Sequence, residues 1–76
     1  MTTEFKNQLL GYAQEDINIA KEQGSIMITD TVYGLLTIEM NGKTFVARNK
    51  HNHMISDLCL ENDMVDFIAN SYTIEN

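Results

Sequence analysis

The chain has no proline and no tryptophan, and a single cysteine. One cysteine cannot form an internal disulfide, so the fold must stand on packing alone, and an intracellular, cytoplasmic setting is expected. No apolar run approaches the roughly 20 residues of a membrane span, and the opening Met1-Thr2-Thr3-Glu4-Phe5-Lys6 lacks the charged-then-apolar pattern of a leader. Cations are scarce: 5 Lys and Arg stand against 11 Asp and Glu, for a net charge of −6. Direct nucleic-acid binding needs basic groups that displace counterions, so it is not expected here. An acidic surface suits a basic protein partner, or simply solubility.

What is present is enough for one small α+β domain spanning residues 1–76. Hydrophobic residues make up 43% of the chain, too many for a disordered tail. A 76-residue chain buries only about 60–65% of its unfolded surface. It has little material left to wall a deep pocket of several hundred Å3. A non-enzymatic protein with no cofactor is therefore expected.

The strongest local signal is Leu35-Leu36-Thr37-Ile38-Glu39-Met40-Asn41-Gly42-Lys43-Thr44-Phe45-Val46-Ala47-Arg48. Asn-Gly between two alternating runs predicts a hairpin, since a type I′ turn needs positive φ at both central residues. With Asn41 and Gly42 in those positions, Met40 faces Lys43, Ile38 faces Phe45 and Leu36 faces Ala47. That face is apolar and the other, with Leu35, Thr37, Glu39, Thr44, Val46 and Arg48, is mixed. A one-residue slip would turn the apolar set outward.

Before the hairpin, Phe5, Leu9, Ala13, Ile17 and Ala20 recur at helical spacing. Thr2 or Thr3 can cap this helix and Gly24 can end it, which predicts a helix over about 3–23. Gly11 interrupts the stripe and suggests close packing on a sheet. Ser25–Val32 reads as a strand with Ile26 and Ile28 inward and Met27 and Thr29 outward, followed by a turn ending at Gly34.

After the hairpin, Asn49–His53 reads as a polar loop. Met54, Ile55, Leu58, Val65, Ile68 and Tyr72 then form a helical stripe, interrupted by Glu61-Asn62-Asp63, so that 54–72 is one helix or two. A fourth strand over 55–60 is the weaker alternative, and 73–76 is expected to fray. The expected order is α-β-β-β-α, with a three-stranded antiparallel meander and both helices on one face. Phe5, Leu9, Ala13, Ile17, Ile26, Ile28, Leu36, Ile38, Phe45, Leu58, Val65 and Ile68 would form the core.

Two groups of reactive side chains invite a chemical reading. His51, His53, Asp57 and Cys59 are zinc-ligand types, but paired ligands from two separated elements are lacking, and a solvated loop explains them without metal. Cys59 has no legible base or oxyanion loop and reads as a small buried hydrophobe.

The charge distribution says more. Residues 51–76 hold five acidic side chains and no Lys or Arg, while the first fifty hold six acidic and five basic. On a helix, Asp57, Glu61, Asp63 and Asp66 would lie away from Leu58, Val65 and Ile68, with Glu75 beyond. Such a surface is either a solvated helix face or a negative patch that occupies a basic groove. The functional expectation is an acidic inhibitor docking on the basic surface of a nucleic-acid-binding protein, a type familiar from phages and mobile elements. Asp57, Glu61, Asp63 and Asp66 would steer it, and Tyr72, Met64 or Phe67 would anchor it. The alternative is an assembly protein that forms a homodimer through its half-polar sheet face.

Overall fold

The computed structural model describes residues 2–73; Met1 and residues 74–76, including Glu75, lie outside that description. Helix α1 runs from Thr3 to Gln23, as its periodicity predicts. Thr2 Oγ1 accepts from the Phe5 amide at 3.1 Å, satisfying one of the first-turn donors. Gly24, at φ 92°, turns the chain out of the helix while its amide donates to the Ala20 carbonyl at 2.7 Å. Leu9, Ala13, Ile17 and Ala20 are the buried stripe.

Four antiparallel strands follow in sheet order β1-β2-β3-β4: β1 Ser25–Thr31, β2 Gly34–Asn41, β3 Thr44–Arg48 and β4 Cys59–Leu60. Helix α2, Glu61–Ser71, closes the chain. The order is α-β-β-β-β-α, so the three-stranded expectation is corrected by one short strand. Both helices share one core with the sheet, built around the fully buried Ile17, Leu36, Ile38, Met64 and Ile68.

The hairpin keeps its expected faces but not its expected pairs. Met40 opposes Phe45 and Ile38 opposes Ala47, a shift of two residues. The turn is Gly42-Lys43, flanked by the Asn41–Thr44 pair. Positive φ occurs at Gly42 (66°) and not at Asn41 or Lys43, the pattern of a type II′ turn rather than type I′. Thr44 Oγ1 donates to the Asn41 carbonyl at 2.8 Å, which ties the turn shut. Because side chains alternate with period two, a two-residue shift leaves Leu36, Ile38, Phe45 and Ala47 inward.

Strand β1 pairs in register with β2 from Ser25 to Ile28 and slips by one residue before Thr31 opposes Gly34. This bulge leaves Asp30 exposed and Thr31 buried, where strict alternation would bury the aspartate. Gly34 takes φ 75° directly after the Val32-Tyr33 turn. Thr31 Oγ1 donates to the Gly34 carbonyl at 2.6 Å and accepts from the Tyr33 amide at 3.2 Å.

The largest departure from the sequence reading lies between Arg48 and Glu61. Residues 54–60 are not helical. They run beside β3, whose outer backbone groups require partners. Ile55 donates its amide to the Ala47 carbonyl at 2.9 Å, and Ser56 Oγ accepts from the Ala47 amide at 2.9 Å. Met54 bridges Arg48, and β4 pairs Cys59 with Phe45 and Leu60 with Thr44. Alternation then sends Ile55 and Cys59 toward the core and Leu58 and Leu60 to the outer face. Leu58, expected in the core, is accordingly 51% exposed. Phe5 and Ile26 pack at the margin of the core, and Ala20, Ala47, Met64 and Ala69 take buried places within it.

Gly11 is exposed, and a β-carbon there would meet no atom within 4 Å. The close packing expected from it is absent, and the glycine only weakens α1. Gly11→Ala should therefore raise stability by about 0.5–1 kcal/mol, seen as a rise of several degrees in Tm.

Candidate functional site

The acidic residues of the last third do not share one helix face. Asp57 is exposed in the segment beside β3, ahead of β4. Asp63 and Asp66 are exposed on α2, three residues apart and so on one side of it. Burial, then the negative charges of Asp63 and Asp57, push the Cys59 thiol above its ordinary range. These two carboxylates therefore act together on one spot although they come from different elements. The raised thiol is a poor nucleophile, in keeping with its place against the core.

Glu61 has a different role. It opens α2 and accepts from Lys21 Nζ at 3.0 Å and from Gln14 Nε2 at 2.9 Å. The Lys21 hydrogen bond, then that of Gln14, hold its carboxyl below the usual carboxylate range. Its charge is occupied in joining α2 to α1. The other ion pair among the described residues links Arg48 Nε and Glu39 at 3.6 Å. Asp57, Asp63 and Asp66 take part in no ion pair among the described residues.

Of the expected anchors, Met64 is wholly buried. Tyr72 is half-buried, and its hydroxyl donates to Asp16 Oδ2 at 2.6 Å, so it latches the end of α2 to α1. Phe67 remains partly open. Its ring stacks on Tyr33 at 5.8 Å between centroids and 10° between planes. Phe67 also walls a shallow groove of about 420 Å3 with Met54, Ile55, Ser56 and Asp57. Asp63 stands one turn before Phe67 on α2, at i−4, whereas Asp66, adjacent in sequence, projects from a different side of the helix. The result is a partly apolar groove with the Asp57 carboxylate in its wall.

A second acidic groove was not legible in the sequence. Asp16 and Glu15 of α1 face Asp30 of β1 across about 400 Å3, also lined by Tyr12, Leu9 and Tyr72. Tyr12 is 57% exposed there. The one available signal was the i, i+3, i+4 spacing of Tyr12, Glu15 and Asp16. Asp30 joins them only through the β1 bulge.

The histidine loop is organised by its own backbone. Asn49 Oδ1 accepts from the amides of His51 and His53 at 2.9 and 3.0 Å, and Asn52 takes φ 66°. The two imidazoles stand 6.2 Å apart. Among the described residues, no three His, Cys, Asp or Glu side chains gather closely enough to hold a metal, so Asp57 and Cys59 do not complete a site with them.

Models of known protein families, curated proteins and solved structures provide no match to this chain. Among the described residues, no helix is long and apolar enough to cross a membrane.

Proposed function

We propose that this protein is a non-enzymatic binding module that docks on a basic protein surface, most simply the nucleic-acid-binding surface of its partner, and so inhibits it. The observation that carries this reading is the placement of Asp57, Asp63 and Asp66. All three are exposed and unpaired among the described residues; Asp57 lines the groove with Phe67 and Met54, and Asp63 lies one helical turn before Phe67 on α2. Carboxylates of this kind speed encounter and reject acidic competitors. A partly open aromatic side chain supplies the desolvated contact that holds the complex. Glu61 is removed from the binding set because Lys21 already neutralises it, and Tyr72 because Asp16 holds its hydroxyl.

The test compares the wild type with Asp57→Asn/Asp63→Asn/Asp66→Asn in capture from a cell lysate at low and high salt, followed by competition with duplex DNA. The triple variant should retain about a fifth or less of the bound partner, given a few tenths to one kcal/mol for each rim charge. High salt and duplex DNA should both release it. Capture that is indifferent to salt, or equal for the triple variant, overturns the proposal. The fold should be unaffected, since all three side chains point into solvent.

A further inference from the structure

We infer that the free edge of β1 binds an extended peptide segment of another protein, which adds antiparallel to the sheet and places a lysine or arginine in the groove between β1 and α1. Strand β1 is an edge of the sheet. Met40 donates its amide to the Gly24 carbonyl at 2.9 Å, which sets the alternation of the ladder with β2. Ile26 and Ile28 therefore turn their backbone groups toward β2, and Ser25, Met27 and Thr29 turn theirs outward. Past the bulge the outward groups already have strand partners: Thr73 donates to the Asp30 carbonyl at 2.9 Å, and Val32 to that of Ser71 at 2.8 Å. Before the bulge, among the described residues, no backbone group pairs with the outward ones of Met27 and Thr29, and both residues are exposed. Ser25–Thr29 contains neither the charge nor the proline that blunts an edge strand. Such an edge supplies the main-chain hydrogen bonds by which one protein takes up a strand of another.

The groove beside this edge selects the occupant. It holds about 400 Å3, between Ile28, Thr29 and Asp30 of β1 and Tyr12, Glu15 and Asp16 of α1, and no lysine, arginine or histidine lines it. Directly opposed residues in an antiparallel pair share a face, so the peptide residue opposite Ile28 enters on the side where Ile28 is buried, the side of the helices. A lysine or arginine at that position reaches three carboxylates and the Tyr12 ring, which is 57% exposed. The Tyr72 hydroxyl engages Asp16 Oδ2, and the carboxylate keeps acceptor sites for a cation. The peptide residues on either side of this cation lie opposite Met27 and Thr29 and bond to their backbone groups. An acidic segment is repelled here, and Glu75, two residues past Thr73, has the wrong sign for this edge. The Asp57 groove belongs to the segment beside β3, across the sheet from β1, so this contact is separate from the one proposed above.

The probe is a blocked synthetic peptide of alternating threonine and valine with a central arginine, titrated into the isotope-labelled full chain and followed by nuclear magnetic resonance. The amides of Met27 and Thr29 should shift and exchange more slowly with solvent. Glutamate in place of the arginine should weaken binding by about 10-fold or more. N-methylation of the two residues flanking the arginine removes the donors that face β1 and leaves the protein untouched; it should also cost about 10-fold or more. N-methylation of the arginine itself, whose amide faces away, should leave binding unchanged. Glu15→Gln/Asp30→Asn alters two exposed side chains and should weaken binding by about 5-fold. Asp57→Asn/Asp63→Asn/Asp66→Asn should bind the peptide as the wild type does. No binding at millimolar peptide, equal binding of the arginine and glutamate peptides, indifference to N-methylation of the flanking residues, or shifts confined to the Asp57 groove overturns the inference.

Discussion

Ile38→Ala is expected to remove about 3 kcal/mol of stability. Ile38 is fully buried in the second strand, between Ile26 on one side and Ala47 on the other. Truncation forfeits the transfer free energy of the lost carbons and leaves a cavity that β1, β3 and the helices cannot all collapse to fill; such changes cost about 2–5 kcal/mol. A domain of this length holds only about 4–11 kcal/mol in total. A fall in Tm of roughly 12–24 °C follows. Urea unfolding should show a lower midpoint with an unchanged slope. A loss below about 1 kcal/mol would mean that the core repacks and that the β2 register is not held by this side chain.

The second prediction concerns the latch between the two helices. Tyr72→Phe should cost about 1–2 kcal/mol, and Tyr72→Ala about 3 kcal/mol, because the first removes the hydrogen bond to Asp16 and the second also removes ring packing. Burial, followed by the Asp16 hydrogen bond, raises the Tyr72 phenol well above its ordinary range. Its proton therefore stays on in the folded state at pH values where the unfolded chain releases it. The associated stability is complete below about pH 10, the ordinary tyrosine value, and declines as the pH rises beyond it. Unfolding measured from pH 8 to 11 should show a steeper alkaline decline in the wild type than in Tyr72→Phe. Equal slopes would show that the hydroxyl is not held as described.

What the sequence revealed follows the range of the interactions involved. Helix α1 was legible to the residue because its cap, its stripe and its terminal Gly24 are all local signals. The inward faces of the hairpin were legible for the same reason, although the turn chose Gly42-Lys43 over Asn41-Gly42. A two-residue change of pairing leaves the alternation unaltered, so alternation could not detect it. Residues 54–60 were misread because Met54, Ile55 and Leu58 fit a helix spacing as well as a strand spacing. The unfilled backbone groups of β3 decided between them, and those belong to a different part of the chain. The acidic set divided on the same principle. Asp63 and Asp66 sit on α2 as expected, whereas Asp57 left with the strand-like segment and Glu61 met Lys21, forty residues earlier in the chain.

That reliance on distant partners bears on how the molecule is made. The α1 stripe is covered by Met64 and Ile68 of α2, and Ser71 and Thr73 complete the backbone pairing of Val32 and Asp30. A nascent chain lacking these last residues leaves the side of the α1 stripe that meets α2 in water. Synthesis must therefore proceed past Thr73 and release it from the ribosomal tunnel before the first helix can bury its apolar side in full.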